Sequence, residues 1–143
     1  MENLKDTFLY RLFCAKKKMV HAIKSDFQEL GITDENYITL HFIYENAGIN
    51  QVELSDLNQK DRNVIVKTID KLENMGLVER RRSTTDRRSF CLFVTEEGEV
   101  VVHKYWGIVV KREQEALSAL SEEEQKTLKY LLEKMTAEET EQK

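Results

Sequence analysis

Residues 60–63 read Lys-Asp-Arg-Asn, and Val66 and Lys67 follow one helical turn later. These side chains suit the edges of base pairs. Arginine forks onto guanine, asparagine pairs with adenine, and an aliphatic group meets the thymine methyl. Lysine adds a cation for phosphate. A second basic group follows in Arg80-Arg81-Arg82 and Asp86-Arg87-Arg88. Arg87 and Arg88 suit a duplex backbone or a narrow minor groove, where negative potential attracts arginine. Arg81 and Arg82 can face phosphates, whereas Arg80 can equally serve as a structural ion pair. Nothing comparable supports catalysis. No nucleophile motif surrounds any serine, and His21, His41 and His103 lack metal-ligand spacing. The expectation is a non-enzyme with no metal and no cofactor.

Groove reading requires those side chains to share the wet face of a helix. Ile65, Ile69 and Leu72 recur at steps of four and three, which predicts a helix over Asp61–Met75 with Gly76 as its stop. That buried stripe leaves Arg62, Asn63, Val66 and Lys67 outside, and Asp61 reads as an N-cap. A short helix, Gln51–Asn58, and a polar turn precede it. After Gly76 the apolar period changes to two, so 77–82 and 89–95 read as strands around a polar tip. Short helix, turn, helix and basic hairpin make a winged helix-turn-helix with a two-stranded wing. Long amphipathic helices flank it: Leu4–Leu30 and a second from Thr33 to Gly48 on one side, about Glu96–Leu120 and a last helix begun by Ser121 and Glu124 on the other. The expected fold is mainly α. Residues 49–95 form the reading head, and residues 1–48 and 96–143 form a helical dimerisation region.

The chain has 143 residues, no proline and five glycines, which excludes Pro-rich linkers and Gly-rich phosphate loops. Its net charge is −4, but the distribution is uneven. Residues 60–88 hold nine basic and five acidic residues, a net of +4, while the rest holds thirteen and twenty-one, a net of −8. A locally basic block in an acidic protein points to a polyanionic partner. No apolar run is long enough for a membrane span, and the charged start lacks a signal core, so the expected compartment is the cytoplasm. Cys14 and Cys91 read as reduced thiols, Cys14 buried in the first helix and Cys91 packed on a strand. Val100, Val101, Val102, Tyr105, Trp106, Val109 and Val110 offer more apolar surface than one winged helix needs, which marks an association surface between two copies.

Residues 49–98 also resemble the winged-helix core of the MarR family of bacterial transcriptional regulators. The matching strings are Gln51-Val52-Glu53-Leu54, the run from Val64 to Arg80, and Asp86-Arg87-Arg88 followed by a strand and Thr95-Glu96-Glu97-Gly98. The resemblance implies a homodimer with intertwined end helices, whose two winged helices bind half-sites of a pseudo-palindromic operator. It implies a repressor released by a small, often aromatic, ligand. It maps duplex contacts onto Arg62, Asn63, Val66 and Lys67, and the wing pair onto Asp86 and Arg88. Asp86 would hold the wing while Arg88 reaches the minor groove. The turn departs from the family pattern. Leu57-Asn58-Gln59-Lys60 contains no glycine, and either Lys60 or Arg62 can face the groove.

Tyr37, Tyr44, Phe13 and Trp106 can line an effector pocket or simply pack the core. Two other functions remain open on the same scaffold. One is a protein-interaction module that has abandoned DNA, which the overall acidity favours. The other is a redox sensor using Cys14.

Overall fold

The computed structural model describes residues 3–86 and 88–137. Among them run α1 (Phe8–Leu30), α2 (Asp34–Glu45), β1 (Ile49–Asn50), α3 (Gln51–Asn58), α4 (Arg62–Asn74), β2 (Val78–Arg82), β3 (Phe90–Val94), α5 (Glu96–Ala116) and α6 (Glu122–Thr136). Arg87, expected at the wing tip, lies outside the described residues.

Short polar side chains set the helix starts. Thr33, Asn50, Asp61, Thr95 and Ser121 each accept a backbone N–H from the first turn of the helix they precede. Three of these close reciprocal capping boxes, with Asn36, Glu53 and Glu124 as the returning partners. Caps also explain where the expected boundaries move. The first helix does not run unbroken from Leu4, because the Thr7 hydroxyl caps Tyr10 N–H at 3.1 Å and separates a short 3-10 turn from α1. α5 stops at Ala116 rather than near Leu120. There the Gln125 side chain donates to the Leu117 and Leu120 carbonyls and satisfies the turn into α6.

The wing hairpin is present, and it carries a third strand that the sequence reading missed. The sheet order is β1-β3-β2, all antiparallel, with Ile49 opposite Leu92 and Arg80 opposite Leu92 on the other side. Two residues are too few to show a period, so β1 left no pattern to read.

Two apolar clusters hold the chain. The larger joins Leu40 and Ile43 of α2, Leu54 of α3, Ile65, Ile69 and Leu72 of α4, Leu92 of β3 and Val102 of α5. Each such side chain contributes roughly 1.5–3 kcal/mol on burial. The second joins Phe27, Ile32, Tyr37 and Tyr105, where the Phe27 and Tyr105 rings stack with centroids 5.5 Å apart. Tyr37 donates to the Val102 carbonyl at 2.9 Å. Burial pushes its pKa up to about 12 from the ordinary value of 10.0. The unfolded chain therefore ionises first, so stability is intact below the ordinary value and falls as pH rises towards about 12. Thermal melts of the wild type should show this alkaline loss, and Tyr37→Phe should flatten it. Equal slopes in both proteins would refute the burial of that hydroxyl.

The α5 stripe is partly consumed inside the chain, since Val102 and Tyr105 are buried. Val100 and Trp106 of that helix stay exposed, and more apolar surface is uncovered on α1 and α6. Phe8 on α1 is 86% exposed and Met135 on α6 is 69% exposed, with Leu4, Leu9, Leu12 and Phe13 near the former and Leu128, Leu131 and Leu132 near the latter. Cys14 belongs to this surface. It is exposed rather than buried, as are all of residues 11–18 of α1. Cys91 is half-buried on β3.

Candidate nucleic-acid interface

The amphipathicity of α4 decides what the interface presents. Ile65, Ile69 and Leu72 are fully buried, while Arg62, Asn63 and Lys67 are exposed and Val66 is half-buried at their side. Asp61 is the N-cap, and its carboxylate accepts Asn63 N–H at 2.8 Å. That bond occupies Asp61 at the helix start, where the Asn63 side chain is exposed. Helix N-termini also carry partial positive charge, which adds to Arg62 there.

The turn before α4 lacks glycine, and Gln59 takes the left-handed conformation itself, at φ 52°. Its N–H bonds the Asp56 carbonyl at 3.3 Å, and Lys60 N–H bonds the Ser55 carbonyl at 3.1 Å. A left-handed non-glycine residue costs roughly 1–2 kcal/mol. Glycine there would remove that strain but lose more chain entropy on folding, by roughly 0.5–1 kcal/mol. Gln59→Gly should therefore stabilise the chain by about 0.5 kcal/mol. A lowered melting temperature would contradict the strain.

The basic residues divide into paired and unpaired. Arg80 bonds Asp70 and Glu73 at 2.6 Å each, a clamp from β2 onto the outer face of α4. It is a structural ion pair. Arg81, expected to face phosphate, has its guanidinium on Glu79 and 4.3 Å from the centre of the Phe93 ring. The structure thus gives it partners on the sheet. Arg82 lies over the Phe90 ring at 5.8 Å. Lys60 does not extend outward either, since its Nζ bonds Glu35 of α2 at 2.9 Å. That bond holds the Glu35 carboxyl below its usual range. Among the described residues no carboxylate pairs with Arg62, Lys67 or Arg88. Of Lys60 and Arg62, only Lys60 has a carboxylate partner among the described residues.

Asp86 organises the wing tip. Its carboxylate accepts Arg88 N–H at 2.9 Å and its carbonyl accepts Ser89 N–H at 3.2 Å. The Ser83 hydroxyl receives Asp86 N–H at 3.2 Å, and Ser83 N–H closes onto the Ser89 carbonyl at 3.1 Å. The tip is therefore built by local bonds that leave the Arg88 side chain outside. At the base of the wing, Thr95 Oγ1 donates to the Gly76 carbonyl at 2.6 Å and accepts Gly98 N–H at 3.0 Å. Thr95 N–H donates to the Leu77 carbonyl at 3.0 Å. These bonds tie the end of the hairpin to the end of α4. Sequence reasoning did not single out Thr95 or Gly98 for this role, although both lie in the string that carried the resemblance.

A largely apolar cavity of about 760 Å³ lies beside α2, between α1, α5 and α6. Tyr37 and Trp106 line it, with Ile38 and His41. Phe13 and Tyr44 do not. Phe13 is on the uncovered end of α1, and the Tyr44 hydroxyl lies 3.2 Å from His103 Nε2. Among the described residues no group of three His, Cys, Asp or Glu side chains is placed to hold a metal ion, and no helix is long and apolar enough to cross a membrane.

Comparison with known proteins decides the family. The model of the MarR family matches residues 30–89. The HTH-type transcriptional regulator BilQ of Clostridium symbiosum (strain WAL-14163) is 30% identical over 132 residues, which cover 92% of each chain. The chain belongs to the MarR family. It is a transcriptional regulator of that family, which is not a family of enzymes. A solved structure of a MarR mutant from E. coli complexed with operator DNA is 26% identical, with a TM-score of 0.85, covering 94% of this MarR-family chain and 99% of that one. BpsR of Bordetella bronchiseptica, solved in a study of how 6-hydroxynicotinic acid regulates its DNA binding, shares the fold at a TM-score of 0.89 and 17% identity, covering 96% of this chain and 99% of that one.

Proposed function

We propose that this MarR-family regulator is a cytoplasmic homodimeric repressor that reads a pseudo-palindromic operator and is released by a small aromatic ligand. The observation that carries duplex reading is the surface of α4 and the wing. There, among the described residues, Arg62, Lys67 and Arg88 stand exposed without carboxylate partners, beside the exposed Asn63 and the half-buried Val66. Such unquenched cations gain by displacing the counterions of a phosphate backbone. Residues 49–95 serve as the reading head, and residues 1–48 and 96–143 join the two copies.

The dimer is supported by the uncovered apolar surface of α1 and α6. Every residue of α6 except Gln125 is exposed in the single chain, including its leucines. A lone helix of this kind has no reason to be stable in water unless another surface covers it. A twofold pair of chains would set the two α4 helices roughly 34–36 Å apart, one turn of duplex. Ligand release is supported by the cavity, whose apolar wall and Tyr37 and Trp106 rings suit an aromatic molecule.

Selection of duplexes from a random library tests the reading directly, because it reports binding, symmetry and half-site spacing together. The selected site should bind with Kd near 10⁻⁸ M or tighter, with affinity falling steeply from about 50 to about 200 mM salt. Sedimentation should give the mass of two chains. No enrichment, or no duplex binding at low salt, would overturn the function.

A thiol-sensing variant of this reading is favoured by one observation. Cys14 is exposed on α1, and its proximity pushes up the pKa of Tyr10. Operator binding that ignores peroxide, or that responds fully after Cys14→Ser, would dismiss it.

A further inference from the structure

Helix α2 has two working faces. Tyr37, Ile38 and His41 line the cavity. Glu35, Asn36 and Thr39 lie on the opposite side, and each holds a different point of the helix-turn-helix. Glu35 Oε1 accepts from Lys60 Nζ at 2.9 Å, just before the cap of α4. Thr39 Oγ1 accepts from Asn58 Nδ2 at 2.6 Å, at the end of α3. Asn36 Oδ1 accepts from Lys71 Nζ at 3.0 Å, in the last turn of α4. The gripping side chains are themselves held. Thr39 donates to the Glu35 carbonyl at 3.1 Å, and Asn36 Oδ1 also takes Thr33 N–H at 3.1 Å.

The apolar contacts of Ile65, Ile69 and Leu72 keep α4 on the core, but such contact is non-directional and permits rocking and rotation. Hydrogen bonds fall off steeply with angle. Anchors at residues 60 and 71 stand about 16 Å apart along the chain of α4 and its cap. Two directional anchors so far apart, with a third on α3, define the orientation of a rod.

We propose that Glu35, Asn36 and Thr39 are positioning residues that set the angle at which α4 meets the duplex. Lys60 is a strut to Glu35 rather than a phosphate contact. The inference rests on the duplex reading proposed above.

The test uses the full chain, the selected operator and a random duplex. Exposed ion pairs contribute little and buried neutral bonds more. Glu35→Gln should therefore weaken operator binding roughly threefold and Thr39→Val roughly tenfold. Random-duplex affinity and the salt dependence should stay at wild-type values, because no phosphate contact is lost. The exchanged pair Glu35→Lys with Lys60→Glu should recover most of the operator affinity. Amide exchange at residues 59–63 should quicken in Thr39→Val without any loss of the cooperative melt. Unchanged operator affinity in both single variants, or a shallower salt dependence in Lys60→Met, would overturn the proposal. The exchange experiment separates the two readings. If the wild type binds no duplex, the operator function falls, while quickened exchange would still support the grip. Unchanged exchange would defeat the grip alone.

Discussion

Gly98→Ala is expected to lower the thermal midpoint by roughly 10 °C, a loss of about 3 kcal/mol. A Cβ on Gly98 would lie 2.0 Å from the Leu77 carbonyl oxygen and 2.6 Å from Val94 Cγ1. Backbone cannot yield as a flexible side-chain tip can, so α5 must back away from the hairpin. Backing away stretches the bonds from Thr95 to the Gly76 and Leu77 carbonyls, which tie the wing to the end of α4. Gly107→Ala in the same helix is the control. Nothing lies within 4 Å of the position its Cβ would take. Alanine there should stabilise the helix by about 1 kcal/mol. Equal effects at the two positions in a thermal melt would refute the close approach.

Arg62→Ala should weaken the selected operator roughly a hundredfold. A forked arginine–guanine contact is worth about 1–3 kcal/mol, and a twofold operator would lose it twice. Discrimination should relax at one symmetric base position while random-duplex binding falls far less. Arg88→Ala should behave differently. The contact proposed for it is with the minor groove and the backbone, so affinity should fall for every sequence and the salt dependence should become shallower. Both side chains are outside the core, so each variant should keep its melting temperature to within about 0.5 kcal/mol of stability. Anisotropy titrations across a salt series measure all of this. Wild-type affinity in Arg62→Ala would remove α4 from the groove.

The residues that read most clearly in the sequence are those governed by near neighbours. The stripe Ile65, Ile69 and Leu72 defines the inner face of α4 and, by subtraction, its outer one. Asp61, Ser121 and Thr95 begin helices because a short side chain meets a backbone N–H two or three residues away. The change of apolar period after Gly76 shows the hairpin for the same reason. These interactions need no knowledge of the rest of the chain.

What the tertiary structure alone decided is which charges remain free and which surfaces remain bare. Lys60 looks like a groove contact in sequence, but its partner Glu35 is 25 residues away. Arg80 finds Asp70 and Glu73 only because β2 comes back beside α4, and Arg81 finds the Phe93 ring only across the sheet. Cys14 reads as a buried thiol by residue type, yet residues 11–18 of α1 are all exposed in the fold. Phe13 and Trp106 are equally plausible pocket residues by type, and only the crossing of α1, α2 and α5 separates them. Local pattern fixes which face of an element is apolar. Whether that face is covered, and by what, depends on contacts between segments far apart in the chain.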